Sequence, residues 1–327
     1  MRTAALLLLS LALMGKDNYT TQARVVAVGD IHGDYDRLIE ILKTAKLIDP
    51  STLKWSGGKD HLVFTGDFVD RGPASRKVLD FVIALESQAG KAGGEVHPLI
   101  GNHEAMNVYG DLRYVTKDDY AAFRTEKSVS ASPDQPLGWA EHRKAFSPEG
   151  KYGKWIRGNN VLVKVNDTLY LHGGLAPKFA DLKRSKINDQ AKLELQDFSL
   201  IEKGVVGDTD GPLWYRGLAT EKEDQPEMNA HIDALLAAHQ VKRIVIGHTV
   251  VPAIMPRFGG KVVVIDVGLS RVYGGPPAFL EFVKGEGFVI HRSQRVKLPA
   301  IGADALPYLK SVAALEPANS PLRNLLK

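Results

Sequence analysis

The chain of 327 residues contains no cysteine. That absence excludes disulfides, thiolate zinc sites and cysteine nucleophiles, and it leaves Asp, His and Asn as candidate metal ligands. A long apolar run is also missing. The apolar segment Ala4 to Met14 follows Met1-Arg2-Thr3 and gives way to polar residues from Lys16 to Gln22. A membrane-spanning helix takes about 20 residues, so the segment suits the h-region of a secretory signal better than a span. No small-x-small cleavage site follows at once, and Thr21-Gln22-Ala23 offers one farther on. Residues 1–23 therefore read as an export segment leading to the periplasm or the medium. The alternatives are an uncleaved anchor and a fortuitous apolar start on a cytoplasmic protein. Strong charge is absent too: the net charge is +4 and the pI about 9.0. Without a dense Lys/Arg run interleaved with aromatics, nucleic acid is not an expected partner.

What is present is an ordinary globular composition, 44% hydrophobic and 24% charged, long enough to bury a sizeable core. Val25-Val26-Ala27-Val28 reads as a buried strand ending in Gly29-Asp30-Ile31-His32-Gly33-Asp34. Leu38, Ile39, Ile41, Leu42 and Ala45 then recur at helical spacing, with Asp34 placed to cap the helix. His61 to Thr65 is a second strand running into Gly66-Asp67-Phe68-Val69-Asp70-Arg71-Gly72, and Val78, Leu79, Val82 and Leu85 mark a second helix. Val96 to Ile100 is a third strand, followed by Gly101-Asn102-His103-Glu104. Strand–helix alternation implies parallel strands joined by crossovers, and ligands of such sheets collect at the carboxyl ends of the strands.

Residues 105–160 lose the alternation. Their aromatic and basic residues, with short helices expected near Lys117–Arg124 and Leu137–Phe146, read either as a lid beside the site or as a helical subdomain packing its aromatics inward. A hairpin follows, turning at Asn166-Asp167 and running into His172-Gly173-Gly174. Helices are expected near Asp189–Phe198 and His231–His239, with a loop carrying Trp214-Tyr215-Arg216 between them. Arg243 to Ile246 is a strand ending in Gly247-His248. Val262 to Asp266, Ala278–Val283 and Phe288–His291 are expected to build a second, more antiparallel sheet, and residues 299–327 read as a proline-punctuated tail.

Six polar clusters thus sit at strand ends or in loops: Asp30/His32, Asp67/Asp70/Arg71, Asn102/His103, His172, Arg216 and His248. Any one of them has a dull explanation, a satisfied core histidine or a surface ion pair. Together they supply more Asp, Asn and His donors than one ion needs, which suggests two ions sharing a carboxylate. Such donors suit Mn, Fe or Zn. Two metals about 3.5–4 Å apart form a clamp for in-line displacement at phosphorus by an activated water or hydroxide. Arg71 and Arg216 could grip phosphate oxygens, and His103 could protonate the leaving alkoxide.

The ordered motifs GDIHG, GDFVDRG, GNHE, HGG and a late GH resemble the phosphoprotein phosphatase branch of the calcineurin-like metallophosphoesterases, across about residues 25–292. GNHEAMN, GDLRYV and LHGGLAP are similar to the Shewanella-like phosphatases. The resemblance implies an α/β fold, a four-layer α/β/β/α sandwich of two mixed sheets over about residues 24–298. It implies that Asp30, His32 and Asp67 hold one metal, with Asp67 bridging, and that Asn102, His172 and His248 complete the second. It implies His103 as general acid oriented by Asp70, and Arg71, Arg216 and Asn102 toward the phosphate. A phosphorylated protein, on tyrosine or on serine and threonine, is the implied substrate. A dinucleoside polyphosphate hydrolase and an inactive phosphopeptide-binding module are the rival readings.

Overall fold

The computed structural model describes residues 16–327 except 131, 133 and 134, so the apolar run Ala4 to Met14 lies outside the described residues. Along the chain the first elements are β1 (Asn18–Tyr19), β2 (Val25–Val28), α1 (Tyr35–Thr44), β3 (His61–Phe64), α2 (Ser75–Ala92) and β4 (Glu95–Pro98). Then come α3 (Asn102–Tyr109), α4 (Lys117–Phe123), α5 (Trp139–Phe146), α6 (Lys151–Gly158), β5 (Leu162–Val165) and β6 (Thr168–Leu171). The remainder comprises α7 (Arg184–Glu194), α8 (Gly217–Thr220), α9 (Pro226–His239), β7 (Arg243–Ile246), β8 (Met255–Arg257), β9 (Val262–Val264), β10 (Ala278–Val283), β11 (Glu286–His291), β12 (Gln294–Lys297), α10 (Leu306–Ala314) and α11 (Pro321–Leu325).

The strands form two six-stranded mixed sheets, ordered β1-β5-β6-β7-β9-β8 and β12-β11-β10-β2-β3-β4. In the second sheet β2, β3 and β4 are parallel, as the strand–helix alternation predicts, with Val26 level with Leu62 and Leu62 level with Val96. Every residue of β2, β3, β6 and β7 is buried, which explains their near-continuous apolar runs. Asp34 caps α1 as its position predicts, its Oδ1 accepting from the Arg37 amide at 3.0 Å. Asn166 takes the left-handed conformation (φ 54°) at the β5–β6 turn, which asparagine tolerates better than most residues.

Two sequence expectations change. The C-terminal hairpin does not join Val262–Val264 in a separate antiparallel sheet. Instead β10 pairs antiparallel with β2, Leu280 opposite Ala27, and so covers the free edge of the parallel strands. Arg24 ties this junction, with Nη1 3.2 Å from Glu281 and Nη2 2.8 Å from Asp60. Alternation says that a strand is half-buried; it cannot say which open edge the strand will take. Nor is 299–327 a loose tail: Tyr308, Val312 and Leu322 are buried, and Glu316 binds both His291 and Arg292.

The inserted region packs its aromatics inward. Phe123, His142, Phe146 and Tyr152 form one cluster, with ring centroids 4.6–6.3 Å apart. Tyr114, ahead of α4, instead faces the strand ends. At the amino-terminal side, β1 pairs in parallel with β5, so cleavage after Ala23 would remove a strand of the first sheet.

Candidate active site

The carboxyl ends of β2, β3, β6 and β7 and the start of α3 bring five of the six clusters to one place. Asp67 is at the centre. Its Oδ2 lies 3.3 Å from His172 Nε2, 3.6 Å from His32 Nε2 and 3.9 Å from His103 Nε2, and all four residues are buried. Donor atoms of His32, Asp67 and His103 fall within 4.8 Å of one another, and so do those of Asp67, His172 and His248. Both groups contain Asp67.

Backbone contacts orient the rings. His32 Nδ1 faces the Val69 carbonyl at 3.2 Å and His172 Nδ1 faces the Thr65 carbonyl at 2.8 Å. With those nitrogens donating, each Nε2 lone pair is turned toward Asp67, the tautomer arrangement that outer hydrogen bonds impose on metal-ligating histidines. His172 Nε2 then faces Asn102 Oδ1 at 2.9 Å with no proton between two acceptors. His248 Nε2 is buried and has no hydrogen-bond partner among the described residues. Converging lone pairs of this kind fit cations: the donor set matches two ions and leaves a cost when none is bound.

Electrostatics agree. Burial, and secondarily the neighbouring imidazoles, push His248 down to about 2, and burial pushes His32 down to about 4, so both present neutral rings. Burial alone would raise Asp67, but His172 and His103 outweigh it and hold the carboxyl well below its ordinary value. Asp30 turns its carboxylate to the His248 amide at 3.0 and 3.2 Å and sits beside Asp266, burial and that second acid raising its pKa. With its oxygens turned to that amide, Asp30 belongs to neither three-residue group.

His103 has a separate connection. Its Nδ1 lies 2.7 Å from Asp70 Oδ2, while its amide donates to Asp67 Oδ1 at 3.0 Å. Burial opposes the charged ring, but Asp67 and Asp70 prevail and raise its pKa. The Arg71 guanidinium stacks 3.8 Å over the Tyr114 ring, and Tyr114 lies 5.0 Å from His103. Arg216 is exposed and donates from Nη1 to the His248 carbonyl at 2.7 Å and to Thr249 Oγ1 at 3.1 Å. Each arginine thus keeps N–H groups without a partner among the described residues.

The backbone is held under strain to do this. His32, Asp67, Asp70, Arg71 and His248 all have positive φ, between 44° and 68°. Non-glycine residues rarely adopt it, and such conformations persist only where surrounding contacts enforce them. Glycines permit the close approach: a Cβ on Gly101 would collide with Asp67 Oδ1, and one on Gly247 with Asp30 Oδ1.

Three residues were not singled out by sequence reasoning. Glu104 is buried and accepts from the amides of Gly101, Asp67, Phe68 and Val69 at 2.8, 2.8, 2.7 and 3.3 Å, clamping two motif loops together. Asn107 donates to Asp70 Oδ1 at 3.0 Å and to the His103 carbonyl at 2.9 Å. Asp266 faces Asp30, and burial raises its pKa to about 6. The Glu of GNHE and the Asn three residues beyond it were visible as letters, but only the helical turn of α3 aims them. Nothing in the run Val262 to Asp266 marked its last residue.

The model of the calcineurin-like phosphoesterase family matches residues 23–252, a span that contains every residue of the constellation. The chain belongs to this family. It is a phosphoesterase hydrolase, and within the family it is similar to the Shewanella-like phosphatases. Shewanella-like protein phosphatase 2 of Arabidopsis thaliana is 30% identical over 298 residues, covering 81% of this chain and 76% of the plant protein. The crystal structure of a cold-active protein-tyrosine phosphatase from a psychrophilic Shewanella superposes with a TM-score of 0.76 at 31% identity, over 88% of this chain and 83% of that one. Symmetrical bis(5'-nucleosyl)-tetraphosphatase of Neisseria gonorrhoeae is 26% identical over 170 residues, covering 52% of this chain and 50% of that protein.

Proposed function

We propose that the phosphoesterase is a dinuclear-metal phosphomonoesterase acting on phosphorylated protein, with phosphotyrosine among its substrates. The observation that carries this reading is Asp67, the one carboxylate on which the donor atoms of His32, His103, His172 and His248 converge. In this reading Asp30, His32 and Asp67 hold one ion and Asp67, Asn102, His172 and His248 the other, drawn from Mn, Fe or Zn. When bound, the pair supplies Lewis-acid polarisation of the phosphoryl group and lowers the pKa of a water.

The chain's own residues do the rest. Arg71 and Arg216, with Asn102, orient the phosphate and offset its charge; a guanidinium fork matches two phosphate oxygens. Tyr114 holds Arg71 in place by stacking. His103 Nε2 carries the proton that goes to the leaving oxygen, while Asp70 and Asn107 fix the ring from the Nδ1 side. Export belongs to the same proposal, and the pairing of β1 with β5 favours cleavage ahead of Lys16, which N-terminal sequencing of exported protein would check.

The deciding experiment is a panel of phosphotyrosine, phosphoserine and phosphothreonine peptides, with diadenosine tetraphosphate included, on metal-reconstituted protein. Phosphate release from the peptides, tyrosine included, is expected. Nucleotide products from the dinucleotide with inert peptides would replace this reading with the rival hydrolase.

A further inference from the structure

The end of the sandwich opposite the catalytic loops encloses a cavity of about 730 Å³. It opens where the two sheets splay, between the beginnings of β2, β6 and β7 and the ends of β5, β10 and β12. Val25, Tyr170, Phe282 and Leu298 contribute its apolar lining, and its volume falls in the range that holds small organic ligands.

A buried charge distinguishes this cavity from an incidental gap. Arg243, which lines it, is only 8% exposed. Its Nε donates to the Gly260 carbonyl at 3.0 Å and its Nη2 to the Pro299 carbonyl at 3.5 Å, and its Cζ lies 5.5 Å from the Phe282 ring. Among the described residues no carboxylate lies within 4 Å of this guanidinium, and its Nη1 has no protein hydrogen bond. A guanidinium does not deprotonate, and arginines buried to this degree are normally paired. Carbonyl dipoles and the field of Asp167, itself paired with Lys242, offset part of the desolvation cost, but among the described residues no carboxylate pairs with the guanidinium.

The rim repeats the pattern. Lys242 is neutralised by Asp167 at 3.2 Å and Lys297 by Glu286 at 2.7 Å. Lys164 and Lys284 also line the cavity and have no carboxylate partner among the described residues. Pairing thus accounts for both acids of the wall and leaves three cations over, one of them buried.

We propose that this cavity binds a small organic anion, a single carboxylate or phosphate head on an apolar body, with the head on Arg243 and the body against Phe282 and Leu298. The site is distinct from the catalytic centre: β6 and β7 begin at the cavity and end at His172 and His248, so the two lie at opposite ends of the same strands.

The test uses the full chain and three probes that share a naphthalene body: 1-naphthoate, 1-naphthylmethylphosphonate, and neutral 1-naphthalenemethanol. By titration calorimetry one or both anions bind at least tenfold more tightly than the neutral probe, and the tighter head identifies the ligand's class. Arg243→Met removes at least tenfold of the anion's affinity and leaves that of the neutral probe unchanged. Should that variant fail to fold, the rim double variant Lys164→Glu/Lys284→Glu serves instead, with anion affinity falling several-fold. Phosphatase activity on p-nitrophenyl phosphate is retained in both variants. Equal affinity for charged and neutral probes would overturn the proposal. So would anion binding that survives these substitutions, or binding that is lost in Arg71→Ala and kept in Arg243→Met.

Discussion

His103 Nδ1 stands 2.7 Å from Asp70 Oδ2, and the other oxygen of that carboxylate accepts from Asn107 Nδ2 at 3.0 Å. The imidazole is therefore fixed on one side by an anion that is itself fixed, and its Nε2 is left to face Asp67.

His103→Asn is expected to slow hydrolysis of phosphopeptides by about 10²–10⁴-fold, the usual contribution of a general acid. The loss is expected to be much smaller with p-nitrophenyl phosphate, whose leaving group needs no proton. Asp70→Asn is expected to cost less than His103→Asn on the same peptides. Steady-state kinetics on both substrate types checks the order. Equal losses on good and poor leaving groups would remove His103 from proton transfer.

Asp67 belongs to both donor groups. Asp67→Asn is expected to abolish turnover and to lower metal content at both sites together, measured by elemental analysis of reconstituted protein. Loss of one ion with retention of the other would exclude the shared role.

Glu104 accepts four backbone amides, and all four are buried around the motif loops. In Glu104→Gln an amide NH₂ replaces one acceptor and meets N–H groups head on. A destabilisation of about 3 kcal/mol follows from unsatisfied buried donors. Thermal melting of the metal-free variant against metal-free wild type reads it. An unchanged Tm would mean that the clamp contributes nothing to stability.

Acid is expected to release the C-terminal helices. Glu316 accepts from His291 Nε2 at 2.6 Å and from Arg292 Nε at 2.7 Å. Burial alone would raise the Glu316 carboxyl, but Arg292 and His291 outweigh it and depress its pKa. A depressed acid contributes stability above its unfolded pKa and loses it as pH falls through the folded value. Burial also lowers the pKa of His291, which likewise disfavours the folded state once the ring is forced to charge. Both effects therefore act in one direction, His291 below about pH 6.5 and Glu316 below its own ordinary value near 4.3. Hydrogen exchange of residues 306–325 is expected to accelerate across that window, and Glu316→Gln to make it fast already at neutral pH.

The strand-end motifs were legible because their chemistry is local. Asp, His and Asn beside glycine at the end of an apolar run declare both a turn and a ligand. Glu104 and Asn107 were less so, since their partners in the preceding motif lie 35 to 37 residues away along the chain. Asp266 carried no local signal at all. The C-terminal hairpin was legible as two strands, yet its sheet was not, because an alternating strand satisfies any exposed edge.

By itself, the order of residues determined the α/β class, the family and the inventory of candidate ligands, since apolar period and short motifs are properties of neighbouring residues. Only the tertiary structure decided which imidazoles converge on Asp67, that Glu104 joins two loops, and that Arg243 is buried without a carboxylate partner among the described residues. Those are distances between strands, set by crossovers and sheet edges that no local pattern encodes.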